Sequence, residues 1–282
     1  MRKLHLFEFC DQSWVPESMR KCLFELMEFC FTFFRAFYRH TAHEALRECK
    51  SRGFSRIIEF GAGRAPITRQ VASNEHLESI LLVPCDIAPN REAFQELESR
   101  YPKTVRPIYD PVDLTCPNIS AEDALGVVSG AFHHVPPKQR ALVIRHLTES
   151  CGGVAVFEPL RPTALSILVT LFAFFPAIWI PLAYWQRPGR WRRVFWCWCV
   201  PLVPFAFTFD GVVSCLRQWS QREWIGALEC VLGADNRNYR ICESVQSIAV
   251  FWSASKLGAC EKDIPGAAEP TDHASAPDLG NR

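Results

Sequence analysis

Residues 57–66 read IIEFGAGRAP: two isoleucines, Glu59, Phe60, then Gly61 and Gly63 spaced by one residue, with Pro66 close behind. The apolar run predicts a strand. Glycine lets the backbone turn sharply and approach a ligand with no Cβ in the way. Proline suits the first turn of a helix, so residues 66–71 are expected to start one. Strand, glycine turn and helix together form the nucleotide-binding geometry of open α/β sheets. Spacing narrows the ligand. A dinucleotide turn requires G-x-G-x-x-G, and Pro66 stands at its third glycine. Glu59, two residues before Gly61, suits a ligand carrying a cation, such as a free α-amino group, better than a phosphate.

In these residues the chain resembles the class I S-adenosylmethionine-dependent methyltransferases. Their first motif is (Glu/Asp)-x-Gly-x-Gly-x-Gly. Glu59, Gly61 and Gly63 match it, and Ala65 stands where the third glycine is usual. The resemblance implies a Rossmann-like seven-stranded sheet with flanking helices. It also implies S-adenosyl-L-methionine as cofactor, with Glu59 on the donor's amino group and Gly61, Ala62 and Gly63 passing beneath it. Residues 79–85 (SILLVPC) form a second apolar run that ends at Asp86-Ile87. The family's acidic residue at that strand end binds the ribose hydroxyls, a role that implies Asp86; the other reading of a lone aspartate there is a helix cap. Residues 105–109 read as a third strand, followed by Asp113-Leu114, where the family often contacts adenine. Residues 126–136 (GVVSGAFHHVP) read as the fourth strand and its loop, carrying Ser129, His133 and His134, and residues 153–157 read as the fifth. Residues 91–100 and 138–150 have helical spacing of apolar residues. Alternating strands and helices imply a parallel sheet with right-handed crossovers. Glu59, Asp86, Asp113, Ser129 and His133 then share its C-terminal edge, where such sheets bind ligands. His133 or His134 is the candidate proton acceptor, since imidazole titrates near neutrality; the other reading is a loop histidine bonded to backbone.

After the fifth strand, residues 163–186 contain no charged side chain, enough length for a membrane span. The basic link 187–193 (RPGRWRR) follows, then a second uncharged run at 194–209. Tryptophans 185, 191, 196 and 198 flank the link, as at a membrane interface. Three readings stand: a spanning hairpin, a re-entrant or interface-lying hairpin with its arginines at the headgroups, and a wholly buried lid. Spanning carries the arginines across the membrane, against the positive-inside tendency. A buried lid demands more cover than a chain of this size supplies.

Residues 16–40 read as one helix, with Glu25, Glu28, Thr32, Arg35 and Arg39 on a polar stripe and a broad aromatic face that includes Phe24, Phe29, Phe31, Phe33, Phe34 and Phe37. That pattern suits an interface or packing against the hairpin. It does not have the form of a secretory signal. Residues 210–220 read as a passage leading to a helix at 221–232, with Ser220 as N-cap. Residues 240–243 and 246–252 read as the closing antiparallel pair. The expected organisation is an N-terminal helical segment (1–50), a cofactor-binding core (51–160), a hydrophobic hairpin (161–209), the rest of the core (210–255) and a disordered tail (256–282).

A formal net charge of +1 gives no electrostatic support for a nucleic-acid partner. Thirteen scattered cysteines suggest reduced thiols. Cys197 and Cys199 have no second pair at ligand spacing, so no metal is expected. The expected function is methyl transfer, by O- or C-methylation, to a lipophilic small molecule or lipid, on a membrane-associated protein whose catalytic domain faces the cytoplasm. The rivals are a catalytically silent membrane adaptor on the same scaffold and a nicotinamide-dependent oxidoreductase.

Overall fold

The computed structural model describes residues 6–33, 35–73, 80–233, 238–244 and 247–253, without the side chains of residues 30–33. The tail at 256–282, Ser79, Gln246 and the side chains of Phe31, Thr32, Phe33 and Phe34 lie outside the described residues.

Six strands form one sheet in the order β2-β1-β3-β4-β6-β5. They are β1 (Arg56–Phe60), β2 (Leu81–Cys85), β3 (Ala121–Ser129), β4 (Cys151–Glu158), β5 (Tyr239–Glu243) and β6 (Ile248–Ser253). The first four run parallel, and β6 pairs antiparallel with both β4 and β5. Successive side chains of a strand face opposite sides. One side of the sheet therefore carries Ile57, Val127, Ala155 and Phe251, and the other Ile58, Val128, Val156 and Trp252. The first side is covered by α2 (Arg35–Ser51), α3 (Pro66–Ala72) and α4 (Arg91–Arg100), the second by α5 (Arg140–Ser150) and α10 (Gln221–Leu232).

The expected third strand, residues 105–109, is absent from the ladder for a local reason, which leaves six strands rather than seven. Leu82 donates to Thr104 O at 2.7 Å, Arg106 donates back to Leu82 O at 2.9 Å, and Ile108 donates to Pro84 O at 3.0 Å. The missing bond is the one Pro84 cannot donate, because it has no N–H. Leu82 and Val105 are left as an isolated parallel bridge.

Residues 16–40 do not form one helix. They divide between α1 (Glu17–Phe33) and α2, which continues to Ser51. The passage 210–220 is helical for most of its length: α9 (Leu202–Arg217) runs through Asp210. Ser220 caps α10 as expected, in a reciprocal capping box with Glu223.

The first apolar run becomes α6 (Ala164–Phe172) and α7 (Phe174–Ala183), together a 20-residue stretch apolar enough to cross a membrane. Only 28% of its most apolar window is buried, so it is not a wholly buried lid. The second run is α8 (Arg190–Val194), a π-helical turn at Phe195–Cys199 and then α9, bent by 74° across the break. Met19, Leu23 and Leu26 of α1 form a third core with Ala177 and Ile180 of α7 and Val203 and Ala206 of α9.

The basic link is tied to α1. Arg187 pairs with Glu28 at 3.1 Å, and Arg192 and Arg193 pair with Glu25 at 2.6 and 3.1 Å. Arg193 is fully buried and also donates to the carbonyls of Tyr184, Arg187 and Pro188. Arg190 lies over the rings of Trp185 and Trp191.

Candidate functional site

Three residues in five adopt left-handed backbone after β1: Gly61 (φ 60°), Gly63 (φ 54°) and Ala65 (φ 52°). A Cβ on Gly61 would meet the Ala131 Cβ at 2.8 Å, so the turn is pressed against the loop after β3. A Cβ on Gly63 would meet nothing within 4 Å; the space above it is open. Ala62 donates to Cys85 O at 3.0 Å, which pins the turn to the end of β2.

Glu59 is buried, and its two carboxylate oxygens accept the Ile67 and Thr68 N–H groups at 3.1 and 2.8 Å. It therefore ties β1 to the first turn of α3, using donors that a helix start leaves without partners. Burial pushes its carboxyl up to about 7, against the two backbone bonds. Asp86 reaches across to the turn: one oxygen accepts Gly63 N–H at 2.7 Å and the other accepts Ala88 N–H at 2.8 Å. Ile87 is exposed beside it. Val112 N–H donates to Asp86 O at 2.9 Å, which brings the Asp113-Leu114 loop to the same edge. Asp113 is exposed and caps Thr115 N–H at 2.8 Å, while Leu114 lies beneath Gly61. The Ser129 hydroxyl is buried with no hydrogen-bond partner among the described residues. The strand ends thus bring together Gly61, Ala62, Gly63, Asp86, Leu114 and Ser129. Glu59 faces α3 instead. A cavity of about 350 Å³ lies on the α3 flank of the turn, lined in part by Arg35, Arg64, Pro66 and Arg69.

The histidines sit at the end of β3, on a polar network that reaches two distant segments. Glu158, at the end of β4, is fully buried; Oε1 accepts Phe132 N–H at 2.9 Å, and Oε2 lies 2.9 Å from His133 Nδ1. Gln218 donates to the same Oε2 at 2.5 Å. Burial works to raise the Glu158 carboxyl, but the charge and hydrogen bond of His133 and the bond from Gln218 hold it below the usual range. His133 is buried, and its ring stacks on His134 with centroids 4.3 Å apart. His134 keeps 38% of its side chain exposed and faces Asp11 at 3.2 Å and Glu8 at 3.5 Å. Burial pulls its pKa down, but the Asp11 hydrogen bond and the Glu8 charge outweigh that and leave it raised.

Glu8 is buried against Arg217 (2.8 Å) and accepts from Ser214 Oγ at 3.1 Å. The Asp210 carboxylate accepts the N–H groups of Phe9 and Cys10 at 2.6 and 3.0 Å. Burial pushes the Asp210 carboxyl up to about 6. Sequence reading missed Glu8, Asp11, Asp210, Ser214, Arg217 and Gln218. Asp210, Ser214 and Arg217 recur at i, i+4 and i+7, one face of a helix. That signal emerges only once 210–217 is known to be helical.

No family model and no curated protein matches the chain. Solved structures do. The plantazolicin methyltransferase BpumL in complex with SAH matches at TM-score 0.52 and 12% identity, over 86% of this chain and 93% of that one. An O-methyltransferase family protein from Burkholderia thailandensis matches at 0.46 and 10% identity, over 78% of this chain. A putative O-methyltransferase from Nostoc punctiforme matches at 0.49 and 12%, also over 78%. The chain spans 58% and 56% of the length of those two. At such identities the likeness is one of fold.

Proposed function

We propose that this chain, which carries the fold of the class I S-adenosylmethionine-dependent methyltransferases, transfers a methyl group from that donor to a lipophilic acceptor, a small molecule or lipid, at a membrane surface. The observation that carries the donor is the turn itself. Gly63 opens on empty space, and its N–H is met by Asp86 from the next strand. The unpartnered Ser129 hydroxyl is an orphaned buried group that a bound ligand would satisfy. These residues fit S-adenosylmethionine: Gly61 and Gly63 would hold its methionine part, Asp86 would take the ribose hydroxyls and the Asp113-Leu114 loop would contact adenine. A structure of this fold is in complex with SAH, the donor's product.

The donor supplies an electrophilic methyl on a sulfonium, displaced in line. The protein's part is positioning, exclusion of water and management of the acceptor's proton. His133 suits the last task better than His134. Donating Nδ1–H to the buried Glu158 carboxylate fixes the tautomer and leaves the Nε2 lone pair as proton acceptor. His134 is engaged with the N-terminal segment. Glu59 acts through α3 as a positioning residue.

The exposed apolar side chains of α6 and α7 favour a lipophilic acceptor. Leu168, Phe172, Phe175, Trp179 and Leu182 are all exposed on this stretch. Monomeric proteins rarely expose contiguous apolar surface on this scale without a partner. The arginine link favours lying in the interface over spanning. α1 holds the link and leads directly into the core, so link and core share one side.

The test is calorimetry with S-adenosylhomocysteine and with NAD, followed by tritium transfer from labelled donor into a lipid extract. Binding of the first alone, lost in Asp86→Ala, is expected, with transfer abolished in His133→Ala. Binding of NAD alone, or of neither, overturns the reading in favour of an oxidoreductase or a silent adaptor. Glu158→Gln separates roles: it should lower kcat at least tenfold while leaving S-adenosylhomocysteine affinity unchanged.

A further inference from the structure

The cavity on the α3 flank of the glycine turn has a charge pattern that methyl transfer does not use. Its volume, about 350 Å³, is that of a small-molecule site. Three guanidinium groups line it: Arg35 from the start of α2, Arg64 from the glycine turn and Arg69 from α3. Two carboxylates line it as well, and each already has a partner. Glu96 on α4 accepts both terminal nitrogens of Arg69, at 2.8 and 3.1 Å. Glu28 on α1 meets Arg187 at 3.1 Å. Arg35 and Arg64 are exposed, and neither has a hydrogen bond or ion pair among the described residues. The hydrogen bond from Arg69, then the charges of Arg69, Arg64 and Arg100, hold the Glu96 carboxyl below the usual range against some burial. One carboxylate therefore sits among several guanidinium groups, and positive charge is left over around a concave space. Like charges gathered in this way repel, and an anion between them relieves the repulsion.

We propose that this cavity is a phosphate site, in which Arg35 and Arg64 grip the phosphate group of a phosphorylated ligand and Arg69, oriented by Glu96, closes a third side. Guanidinium presents paired N–H donors that match phosphate oxygens. A carboxylate offers only two oxygens, whereas a phosphate group offers three acceptor oxygens, enough for donors arriving from separate elements. The space is larger than a bare phosphate fills, so it also takes part of the carrier, beside Tyr38 and Gln70. None of Gly61, Asp86, Asp113 and Ser129 lines it, so it is separate from the donor's edge of the sheet, and its occupancy does not depend on methyl transfer. Glu28 borders the cavity and holds Arg187, so the site adjoins the apolar insertion as well as the glycine turn. Two sources share the chemistry: a soluble phosphate ester and a lipid phosphate.

The full chain is titrated by calorimetry with inorganic phosphate, with glycerol 3-phosphate and with dihexanoyl phosphatidic acid below its micellar concentration. One-to-one binding is expected. Arg35→Gln combined with Arg64→Gln should weaken it about tenfold or more. Glu96→Gln, which frees Arg69 of its carboxylate, should strengthen it, a gain that a damaged fold does not produce. Tightest binding of glycerol 3-phosphate assigns the site to a soluble ester, and tightest binding of the phosphatidic acid assigns it to a lipid. No binding of any probe by wild type, or binding undiminished in the double variant, overturns the site. S-adenosylhomocysteine is titrated into the same samples, and its affinity should be unchanged in the double variant. Its loss there would give these arginines to the donor's carboxylate and overturn the phosphate site. Phosphate binding by a wild type that ignores S-adenosylhomocysteine would leave this site standing while the methyl-transfer reading falls.

Discussion

At the residue scale, the two glycines of the turn do different work. Gly61→Ala adds a methyl 2.8 Å from the Ala131 Cβ in left-handed backbone, so strain and overpacking combine to about 3 kcal/mol or more. Gly63→Ala has the same backbone strain, about 1 kcal/mol, but no clash. Its methyl enters the open space assigned to the donor. Thermal melts and S-adenosylhomocysteine titrations should dissociate: Gly61→Ala mainly lowers the melting temperature, and Gly63→Ala mainly lowers affinity. Equal melting losses would contradict the geometry. Glu59 gives a pH dependence. Its folded value, about 7, is above the ordinary 4.5, so the folded state holds the extra proton between them. The associated stability is fully present below the ordinary value and is lost as pH rises through 7, a contribution of up to about 3 kcal/mol. Glu59→Gln, which cannot titrate, should flatten that part of the melting profile between pH 5 and 8. The glycine spacing was legible in the sequence because turns are local. The α3 partners of Glu59 were not, because a carboxylate before a glycine turn has the same sequence pattern whether it meets a ligand or a helix start.

At the scale of elements, the parallel strands were legible because each is a short apolar run closed by a turn. The loss of the strand expected at 105–109 was not, since those residues are apolar enough and the defect lies in the neighbour. Pro84 withholds one ladder bond. Pro84→Ala restores a donor opposite Arg106 O, and hydrogen exchange should find the new amide protected. An amide that exchanges freely would show that proline is not what interrupts the ladder. The α9 helix escaped reading because Asp210-Gly211 is a turn-like pair. Tertiary packing overrides it: Gly211 lies where a Cβ would come within 2.4 Å of Thr170 Cγ2 on α6. The helix aligns Arg217 with Glu8, side chains only 4% and 2% exposed. Removing one partner of a buried pair leaves the other charged and unpaired, at about 3–5 kcal/mol. Arg217→Met should therefore be strongly destabilising in urea melts, and Glu8→Gln in the same background should recover part of the loss. Additive single effects would show that the two side chains do not couple.

At the scale of the whole molecule, the apolar insertion and the arginine link act as one unit with α1. The sequence displayed the uncharged runs plainly. It did not show that Glu25 and Glu28 neutralise the link, because residues more than 150 positions apart pair only once the helices pack. That pairing changes the physics expected of membrane docking. Three of the arginines are already compensated, Arg193 in full burial, so the surface offers apolar area and tryptophan edges rather than a free basic patch. Attraction to anionic headgroups should then contribute little, and burial of apolar side chains should dominate. Fully burying a large apolar side chain is worth about 1.5–3 kcal/mol, so Phe172→Ser with Trp179→Ser should cut partition onto neutral phosphatidylcholine vesicles at least tenfold. Binding by wild type should be nearly unchanged between low and physiological salt, where exposed charges are increasingly screened. The opposite outcome is equally clear. Binding that needs anionic lipid, collapses with salt and survives the double substitution would mean that the link meets headgroups directly and that its pairs with α1 open at the membrane.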